Sequence, residues 1–325
     1  MLVLAPGCYL AHVAGGQLDL LRAREPIDRV LEDPATPGEV RDRLALVQRV
    51  RAYAAALGLA VEGQYTQYAA WPGDRLVTTI VATRPREVDA AGFWFPIVGT
   101  VPYKGYFDTA RARAEAERLR ADGFDVCEVP VRAYSTLGWF GDPVTGPMLR
   151  QDAPDLVETV LHELFHATVF VASNAEFNEG LASFVGQEAR VRFYAGEEGE
   201  PGAHRQRREI EARRRIGVEL ERTRAEVADL YARADVELEG ARAGIEAATR
   251  ERLRALGPDA SYAAIAQSVR LNDACLALSA TYAGDIARYG QVLAALDGDL
   301  GAFVVRAREA ADSAEPGAHF FRDTP

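Results

Sequence analysis

Two histidines four residues apart are the clearest candidates for chemistry in this sequence. They are His162 and His166 in the stretch "HELFH", and Glu163 directly follows the first of them. On a helix of 3.6 residues per turn, positions four apart lie on one face, so both imidazoles can bind one metal ion. Glu163 is rotated by about 100°, where it can hydrogen-bond a water held by that metal. The H-E-x-x-H pattern therefore predicts a zinc site with Glu163 as catalytic base.

The alternative is that both histidines are ordinary core residues with satisfied hydrogen bonds. The neighbouring residues are uncharged, as a helix buried beside a metal requires; they are Thr159, Val160, Leu161, Leu164, Phe165, Ala167 and Thr168. An unpaired carboxylate at Glu163 would cost several kcal/mol in such a helix. Because the alternative leaves Glu163 without a role, we favour the metal site.

A catalytic zinc needs a third protein ligand and an open fourth position. The candidates are Glu176, Glu179 and Glu188. Residues 173–176 (Ser-Asn-Ala-Glu) read as a capping box, which gives Glu176 a structural role. In an antiparallel helix pair, His166 lies roughly 9 Å before the turn and Glu179 roughly 7.5 Å after it. Glu179 should therefore face the histidines, whereas Glu188 lies too far along the helix.

The elements around this site predict an α+β fold. Strand-like runs rich in β-branched and aromatic residues fill 64–104, and a helix over 108–123 ends on a glycine. The metal would lie on the helix pair 152–196. We expect an α+β region over 1–150, with a small sheet forming the edge of a substrate cleft, and a helical region over 151–325.

A long charged segment dominates the second region. From His204 to about Leu256 it reads as one alanine-rich helix, which Gly257-Pro258 ends, and a second long helix follows to about Ala295. This pattern predicts a helical hairpin over 204–295 whose charged residues face solvent.

Composition excludes some classes of partner. The chain has 325 residues, a net charge of −11 and a pI near 5.1, which argues against nucleic-acid binding because phosphates require a basic face. The three cysteines are too few and too scattered to predict a disulfide framework or a cysteine zinc site. No apolar run approaches the ~18 residues of a membrane-spanning helix.

The N-terminal run "MLVLAPGCYLA" resembles the end of a bacterial lipoprotein signal. It ends in Gly7-Cys8 but lacks a charged segment and is shorter than a usual signal. A start codon assigned too far downstream would explain both features. We expect either a lipid anchor at Cys8 on an extracytoplasmic, membrane-bound protein, or a buried structural cysteine in a cytoplasmic one.

Two further features stand out near the site. Tyr134, Ser135 and Thr136 precede the metal helix, where an edge strand would line the cleft, and they are candidates for binding substrate backbone; packing under the sheet is the alternative for Tyr134. Lys104 is the only lysine in the chain, which hints that a compact ammonium is required there.

Several motifs carry a resemblance to known peptidases. "HELFH" followed by "NEGLA" resembles the gluzincins, including the large zinc aminopeptidases, although the spacing between the motifs is shorter here. The chain is more closely similar to a family of bacterial zinc aminopeptidases, many of them lipoproteins. The similar stretches are "PYKGYFD", "YSTLGWFGDPV", "TVLHELFHATVF" and "FNEGLASFVG".

This resemblance implies a role for each matching residue. His162, His166 and Glu179 would bind one Zn²⁺, and Glu163 would be the base. In gluzincin aminopeptidases a tyrosine on a later helix often stabilises the oxyanion, which makes Tyr282 the first candidate here and Tyr289 the second; a core position is the alternative for each.

The sequence thus favours a zinc aminopeptidase acting on peptides with a free N-terminus. A zinc endopeptidase or another amide hydrolase is the second enzymatic interpretation. A non-catalytic scaffold with a structural metal is the third, with the helical hairpin as its interaction surface. Neither the natural substrate nor the oligomeric state follows from the sequence.

Overall fold

The computed structural model of the chain confirms the predicted α+β fold class. It describes residues 6–95, 99–133, 136, 141–233, 237–258, 260–283 and 285–322. The helices of this part are α1 (Pro6–Arg22), α2 (Ile27–Glu32), α3 (Gly38–Ala56), α4 (Thr109–Ala121), α5 (Gly146–Leu149), α6 (Ala153–Thr168), α7 (Ala175–Ala232), α8 (Leu238–Ala255), α9 (Ala260–Ser268), α10 (Asp273–Ala283), α11 (Ile286–Ala295), α12 (Leu300–Ala311) and α13 (Pro316–Phe320).

The strands form three small sheets. They are β1 (Arg24–Pro26), β2 (Gln67–Ala69), β3 (Val77–Thr83), β4 (Phe93–Phe95), β5 (Gly99–Val101), β6 (Tyr103–Tyr106), β7 (Asp125–Val131) and β8 (Val144–Thr145). The sheet orders are β1-β2-β8, β6-β3-β7 and β4-β5. The strands predicted within 64–104 are therefore present as short segments.

The β6-β3-β7 sheet is antiparallel and covered on both faces. Side chains alternate between the two faces of a strand, so Ile80 packs towards α4 while Val81 packs towards α10. Val81 lies opposite Tyr103 on β6 and opposite Cys127 on β7. These three residues form one row across the face that α10 covers.

Helices α6 and α7 form the predicted helix pair. Asp152 caps α6 by accepting a hydrogen bond of 2.8 Å from the backbone N–H of Asp155. Asn174 caps α7 by accepting from the N–H of Phe177. Helix α7 bends at Gly199, whose φ of 69° is accessible to glycine.

The capping box predicted over 173–176 is wrong. Ser173 precedes the cap in a left-handed conformation, with φ of 61°, and its hydroxyl accepts a hydrogen bond from the N–H of Thr100 on β5. Glu176 is exposed in the first turn of α7. Asn174 takes the cap position because its short amide reaches the first free N–H groups of the helix.

The main hydrophobic core lies between α3, α6, α7, α11 and α12. Beside it, the fully buried Arg190 joins α6 to both halves of α7. Its guanidinium donates to Asp155 and Glu158 on α6 and to Gln206 and Glu209 beyond the bend. This network fixes the helix that carries the two histidines.

The long helical hairpin is present, but its predicted bounds are wrong. The chain leaves α7 after Ala232, and α8 packs back against it, so the turn precedes 238 and does not fall at Gly257-Pro258. Thr223 and Thr249 share a buried hydrogen bond of 2.8 Å across the pair. Residues 260–295 form three shorter helices. Sparse apolar positions in a charged helix need a nearby partner, which α8 supplies.

The cysteines also correct the sequence analysis, which predicted no disulfide. Cys127 on β7 and Cys275 on α10 form one, with Cα atoms 5.1 Å apart. They are 148 residues apart in the chain, so nothing local in the sequence reports their proximity. Cys8 lies in α1, and its side chain is outside the described part of the structure.

Within the described residues, no helix is both long enough and apolar enough to cross a membrane.

Candidate metal centre

Helix α6 brings the two histidines of the motif together. His162 and His166 lie one turn apart, and their Nε2 atoms are 3.0 Å from each other. His166 is buried and His162 is half-buried. Both rings therefore turn their Nε2 atoms towards one point, as the four-residue spacing predicts.

Glu179 on α7 completes a triangle with the histidines. Its Oε2 lies 3.3 Å from Nε2 of His162 and 3.4 Å from Nε2 of His166. Burial by itself raises the pKa of Glu179, but the two imidazoles outweigh it and hold that pKa well below its usual value. The carboxylate is therefore ionised and can act as a ligand.

Asn178 explains how α7 reaches this position after so short a turn. Its amide accepts a hydrogen bond of 2.8 Å from the backbone N–H of Val171 and donates one of 2.7 Å to the carbonyl of Val171. These two bonds close the turn between the helices and place Glu179 towards α6. Gly186 then lets α7 pass close to α6, because a Cβ there would lie 3.4 Å from Cβ of His162.

The three donor atoms fit a zinc ion. A tetrahedral zinc with bonds of about 2.0–2.1 Å would hold its donors about 3.3 Å apart, and the observed separations are 3.0, 3.3 and 3.4 Å. Two imidazole nitrogens and one carboxylate oxygen are also the donor set of catalytic zinc. Among the described residues, this is the single group of three or more such side chains close enough to share an ion.

Glu163 lies beside the triangle. Part of its surface remains accessible, but the surrounding protein desolvates the carboxylate and raises its pKa to about 7. The nearby His162 opposes this shift, whereas the negative charges of Glu179 and Asp142 add to it. A carboxylate with a pKa near neutrality can both accept and return a proton.

Asp142 is a residue of this site that the sequence did not single out. It is 3% exposed, and its carboxylate accepts hydrogen bonds from the hydroxyl and the N–H of Thr136 at 2.6 and 2.8 Å. Its own N–H donates to Gln64 and its carbonyl accepts from the N–H of Tyr65. Thr136, predicted to bind substrate, therefore uses its hydroxyl to hold Asp142.

Tyr103 is a second residue that sequence reasoning missed. Its hydroxyl donates a hydrogen bond of 3.1 Å to Oε1 of Glu179, which leaves Oε2 facing the histidines. Tyr103 belongs to "PYKGYFD", and the one signal was the resemblance carried by that stretch.

The two candidate tyrosines lie in different environments. Tyr282 is at the end of α10, with its ring 6.4 Å from that of His162. It is 40% exposed, yet burial on its other side raises its pKa well above the ordinary value, and Glu179 adds to the shift. Tyr289 packs in the core between Phe184 and Phe321. Of these two tyrosines, Tyr282 is the one beside the candidate metal ligands.

The remaining predicted residues lie away from His162, His166 and Glu179, or outside the residues that the structure describes. Tyr134 and Ser135 are outside the described residues. Lys104 points to the opposite face of the sheet from Tyr103, where it pairs with Glu115 at 2.9 Å and lies 4.8 Å from the ring centre of Phe93. The lysine therefore has a structural partner within the sheet–helix layer.

Glu188 does not reach the site, in agreement with its predicted distance. Three guanidinium groups surround it, those of Arg192, Arg207 and Arg214. Burial opposes ionisation, but the arginines outweigh it and lower the pKa of Glu188 to about 2. This carboxylate is part of the ion-pair layer between the halves of α7.

A cavity of about 350 Å³ lies between α10, the start of α7 and the residues around β4 and β5. Its wall includes Pro102 and Thr281, the chain neighbours of Tyr103 and Tyr282, and it also includes Glu176. Small side chains form much of the remaining wall; they are Ala90, Gly92, Val101, Ala175, Ala277 and Ala280. Asp89 and Arg224 add a pair of opposite charges to this wall.

The sequence profile of a family described as "Putative aminopeptidase" matches residues 8–318. This chain belongs to that aminopeptidase family. Membership supports a peptidase-like function, and the matched range includes the three candidate metal ligands, Glu163 and Tyr282. Neither the comparison with curated proteins nor that with solved structures finds a significant match.

Proposed function

We propose that this member of the aminopeptidase family is a zinc-dependent enzyme that hydrolyses peptides from a free N-terminus. The observation that carries the proposal is the convergence of His162, His166 and Glu179 beside the desolvated carboxylate of Glu163. The family supports the class of reaction, and the N, N, O donor set supports the metal.

The residues of the chain supply the proton transfers. When bound, zinc lowers the pKa of water and polarises the scissile carbonyl. Glu163 accepts the proton of the attacking water and later delivers it to the leaving amine. Desolvation by the surrounding protein, the largest cause of its raised pKa, makes the carboxylate a stronger proton acceptor than an exposed one.

Tyr282 supplies a hydrogen bond to the developing charge. Its phenol keeps its proton at neutral pH because its pKa is raised, and it lies on the open side of His162. A fixed donor aimed at an oxygen that gains negative charge stabilises the transition state more than the ground state. The cavity between α10 and the start of α7 would hold a side chain of the peptide.

Two other functions remain as distinct outcomes of the same assay. A zinc endopeptidase would share the triangle and the base but would cleave peptides with a blocked N-terminus. A scaffold with a structural metal would need a filled coordination shell, whereas the described residues provide three ligands. That count favours an enzyme, since structural zinc sites have four protein ligands.

The test compares zinc-loaded wild type with Glu163→Gln on unblocked and N-blocked peptides. The amide preserves size but cannot accept the proton, so kcat should fall by about 10²–10⁴-fold. KM and zinc content should change little. Glu197→Gln, an exposed glutamate further along α7, is the matched control.

Each contrary result has a separate meaning. A fully active Glu163→Gln protein would remove Glu163 from the mechanism. Cleavage of blocked peptides alone would make the protein an endopeptidase. A zinc-replete wild type that cleaves no peptide in the panel would end the peptidase proposal.

We also propose an extracytoplasmic location with a lipid anchor at Cys8. The disulfide between Cys127 and Cys275 supports an oxidising compartment, and the Gly7-Cys8 sequence supports the anchor.

A further inference from the structure

The disulfide joins the sheet beside the metal site to the helix that carries Tyr282. Cys127 on β7 is 1% exposed and Cys275 on α10 is 7% exposed. Val81 and Ala274 complete the buried cluster around them, and Tyr103 and Leu278 pack against it. The covalent bond is therefore part of the layer between α10 and the sheet.

The register of the sheet relates this bond to the metal site. Val81 lies opposite Cys127 on one side and opposite Tyr103 on the other. Residues directly opposite each other share one face of a sheet. A single row thus runs from the disulfide to the tyrosine that holds Glu179.

Helix α10 covers this row, and the distance from Cys275 to Tyr282 along the helix is close to the distance from Cys127 to Tyr103 across the sheet. Tyr282 follows Cys275 by seven residues, which is about 10.5 Å along a helix and within about 20° of the same side. Cys127 and Tyr103 are two strand spacings apart, about 9.5 Å. Separate contacts place the far ends of both spans at the same site: Tyr103 donates to Glu179, and the ring of Tyr282 is 6.4 Å from that of His162, whose Nε2 is 3.3 Å from Glu179.

Polar contacts also hold the first turn of α10, and α7 packs against the helix. Asn272 and the N–H of Ala274 donate hydrogen bonds of 3.0 and 3.1 Å to the carboxylate of Asp125. These polar contacts fix the first turn of α10. The disulfide fixes the side of the helix on which Tyr282 also lies.

We propose that the Cys127–Cys275 disulfide is a positioning device that fixes Tyr282 over the metal centre. The inference rests on the proposed function, in which Tyr282 donates a hydrogen bond to the scissile carbonyl oxygen. Loss of the bond leaves zinc binding and substrate affinity intact but lets the phenol move. A displacement near 1 Å can lower a rate by about 10²-fold.

The first experiment compares wild type with Cys127→Ala/Cys275→Ala and with wild type reduced by a phosphine until all thiols are free. In both, kcat should fall by roughly 10- to 100-fold, while KM changes less than twofold and zinc content stays constant. Reduction keeps both side chains, so it remains informative if the double variant does not fold. Unchanged kcat in the fully reduced, folded protein would overturn the proposal.

The second experiment separates positioning from general stability. In a Tyr282→Phe background, removal of the disulfide should lower kcat no further. An equal additional loss there would mean that the bond acts elsewhere. Ala264→Gly is the matched control, because it weakens α9 at an exposed position outside α10, and it should keep kcat within twofold of wild type.

Two measurements do not depend on activity. In protein produced without lipid modification of Cys8, the unfolded, unreduced chain should contain one free thiol, since three cysteines are present and two are joined. Amides of 276–283 should exchange hydrogen faster after loss of the bond, while those of 157–168 stay protected. Three free thiols, or unchanged exchange in 276–283, would refute the device even if the protein proved not to be a peptidase.

Discussion

Tyr103 on strand β6 donates a hydrogen bond of 3.1 Å to Oε1 of Glu179 on helix α7. The two residues are 76 positions apart, and the contact ties the sheet to the third candidate metal ligand. It constrains which carboxylate oxygen faces the histidines. A partner of this kind orients a ligand without touching the metal.

Tyr103→Phe should therefore weaken zinc binding without abolishing it. Loss of a hydrogen bond to a ligating carboxylate typically lowers metal affinity by about 10- to 100-fold. Competition with a chelator of known affinity would measure the change. Tyr53→Phe is the control, because its buried hydroxyl has no partner among the described residues and its ring packs on Phe193, fourteen residues beyond Glu179 on α7. Equal zinc affinities for Tyr103→Phe and wild type would contradict this role.

Glu179→Ala should lose its zinc during dialysis, because two imidazoles alone hold the ion weakly. Glu176→Ala removes a carboxylate of the same type one turn earlier, and it should retain a full equivalent of zinc. Its stability should fall by less than about 1 kcal/mol, the usual contribution of an acidic residue to the helix dipole. Elemental analysis of both proteins measures the difference. Zinc retained in Glu179→Ala and lost in Glu176→Ala would reverse the assignment.

Glu188 should make the protein more stable at neutral than at acid pH. Its pKa is about 2 in the folded state against 4.5 ordinarily, so its contribution is present above pH 4.5 and disappears as the pH falls towards 2. Glu188→Gln should lower the free energy of unfolding by about 3 kcal/mol at pH 7, and by less than half of that at pH 3.

Urea denaturation of the metal-free proteins at both pH values measures this difference. Using metal-free protein excludes the pH dependence of zinc binding from the comparison. Glu197→Gln is the control, since Glu197 forms an exposed ion pair with Arg49 and should contribute at most about 1 kcal/mol. A Glu188→Gln deficit that stayed constant from pH 7 to pH 3 would show that ionisation of Glu188 is not its source.

Ala280→Phe should fill the cavity between α10 and the start of α7, which we propose holds a side chain of the peptide. Ala280 is in the cavity wall on α10, and a phenyl group there would exclude a substrate side chain. KM for peptides with a large terminal residue should rise by about 10- to 100-fold, while zinc content is unchanged. Ser279→Ala, on the same helix outside the cavity, should leave KM as in wild type. An unaltered KM in Ala280→Phe would mean that substrate does not use this cavity.

The proposed anchor predicts that Cys8 is the lipid-modified first residue of the mature protein. Mass spectrometry of protein extracted from membranes of the native host would detect the modification, and Cys8→Ser should release the protein into the soluble fraction. A native protein that fractionates with the cytosol and retains residues 1–7 would exclude the anchor.

The chemistry of the site follows largely from local sequence. The helical period alone puts His162 and His166 on one face, and a short turn sets Glu179 level with them. These relationships hold within a span of 18 residues, 162–179, so they depend on helix geometry and not on the rest of the fold. The α+β class follows in the same way from the periodicity of its segments.

Other features depend on the tertiary structure. The bond from Tyr103 to Glu179, the disulfide between Cys127 and Cys275 and the place of Tyr282 all join residues distant in sequence. The position of the turn in the helical hairpin also depends on tertiary contacts. Helix α7 has few apolar residues, and it ends where the chain can turn so that α8 covers them. Such contacts are fixed by sheet register and by the packing of helices on the sheet, which no single segment encodes because each depends on the surfaces of the others.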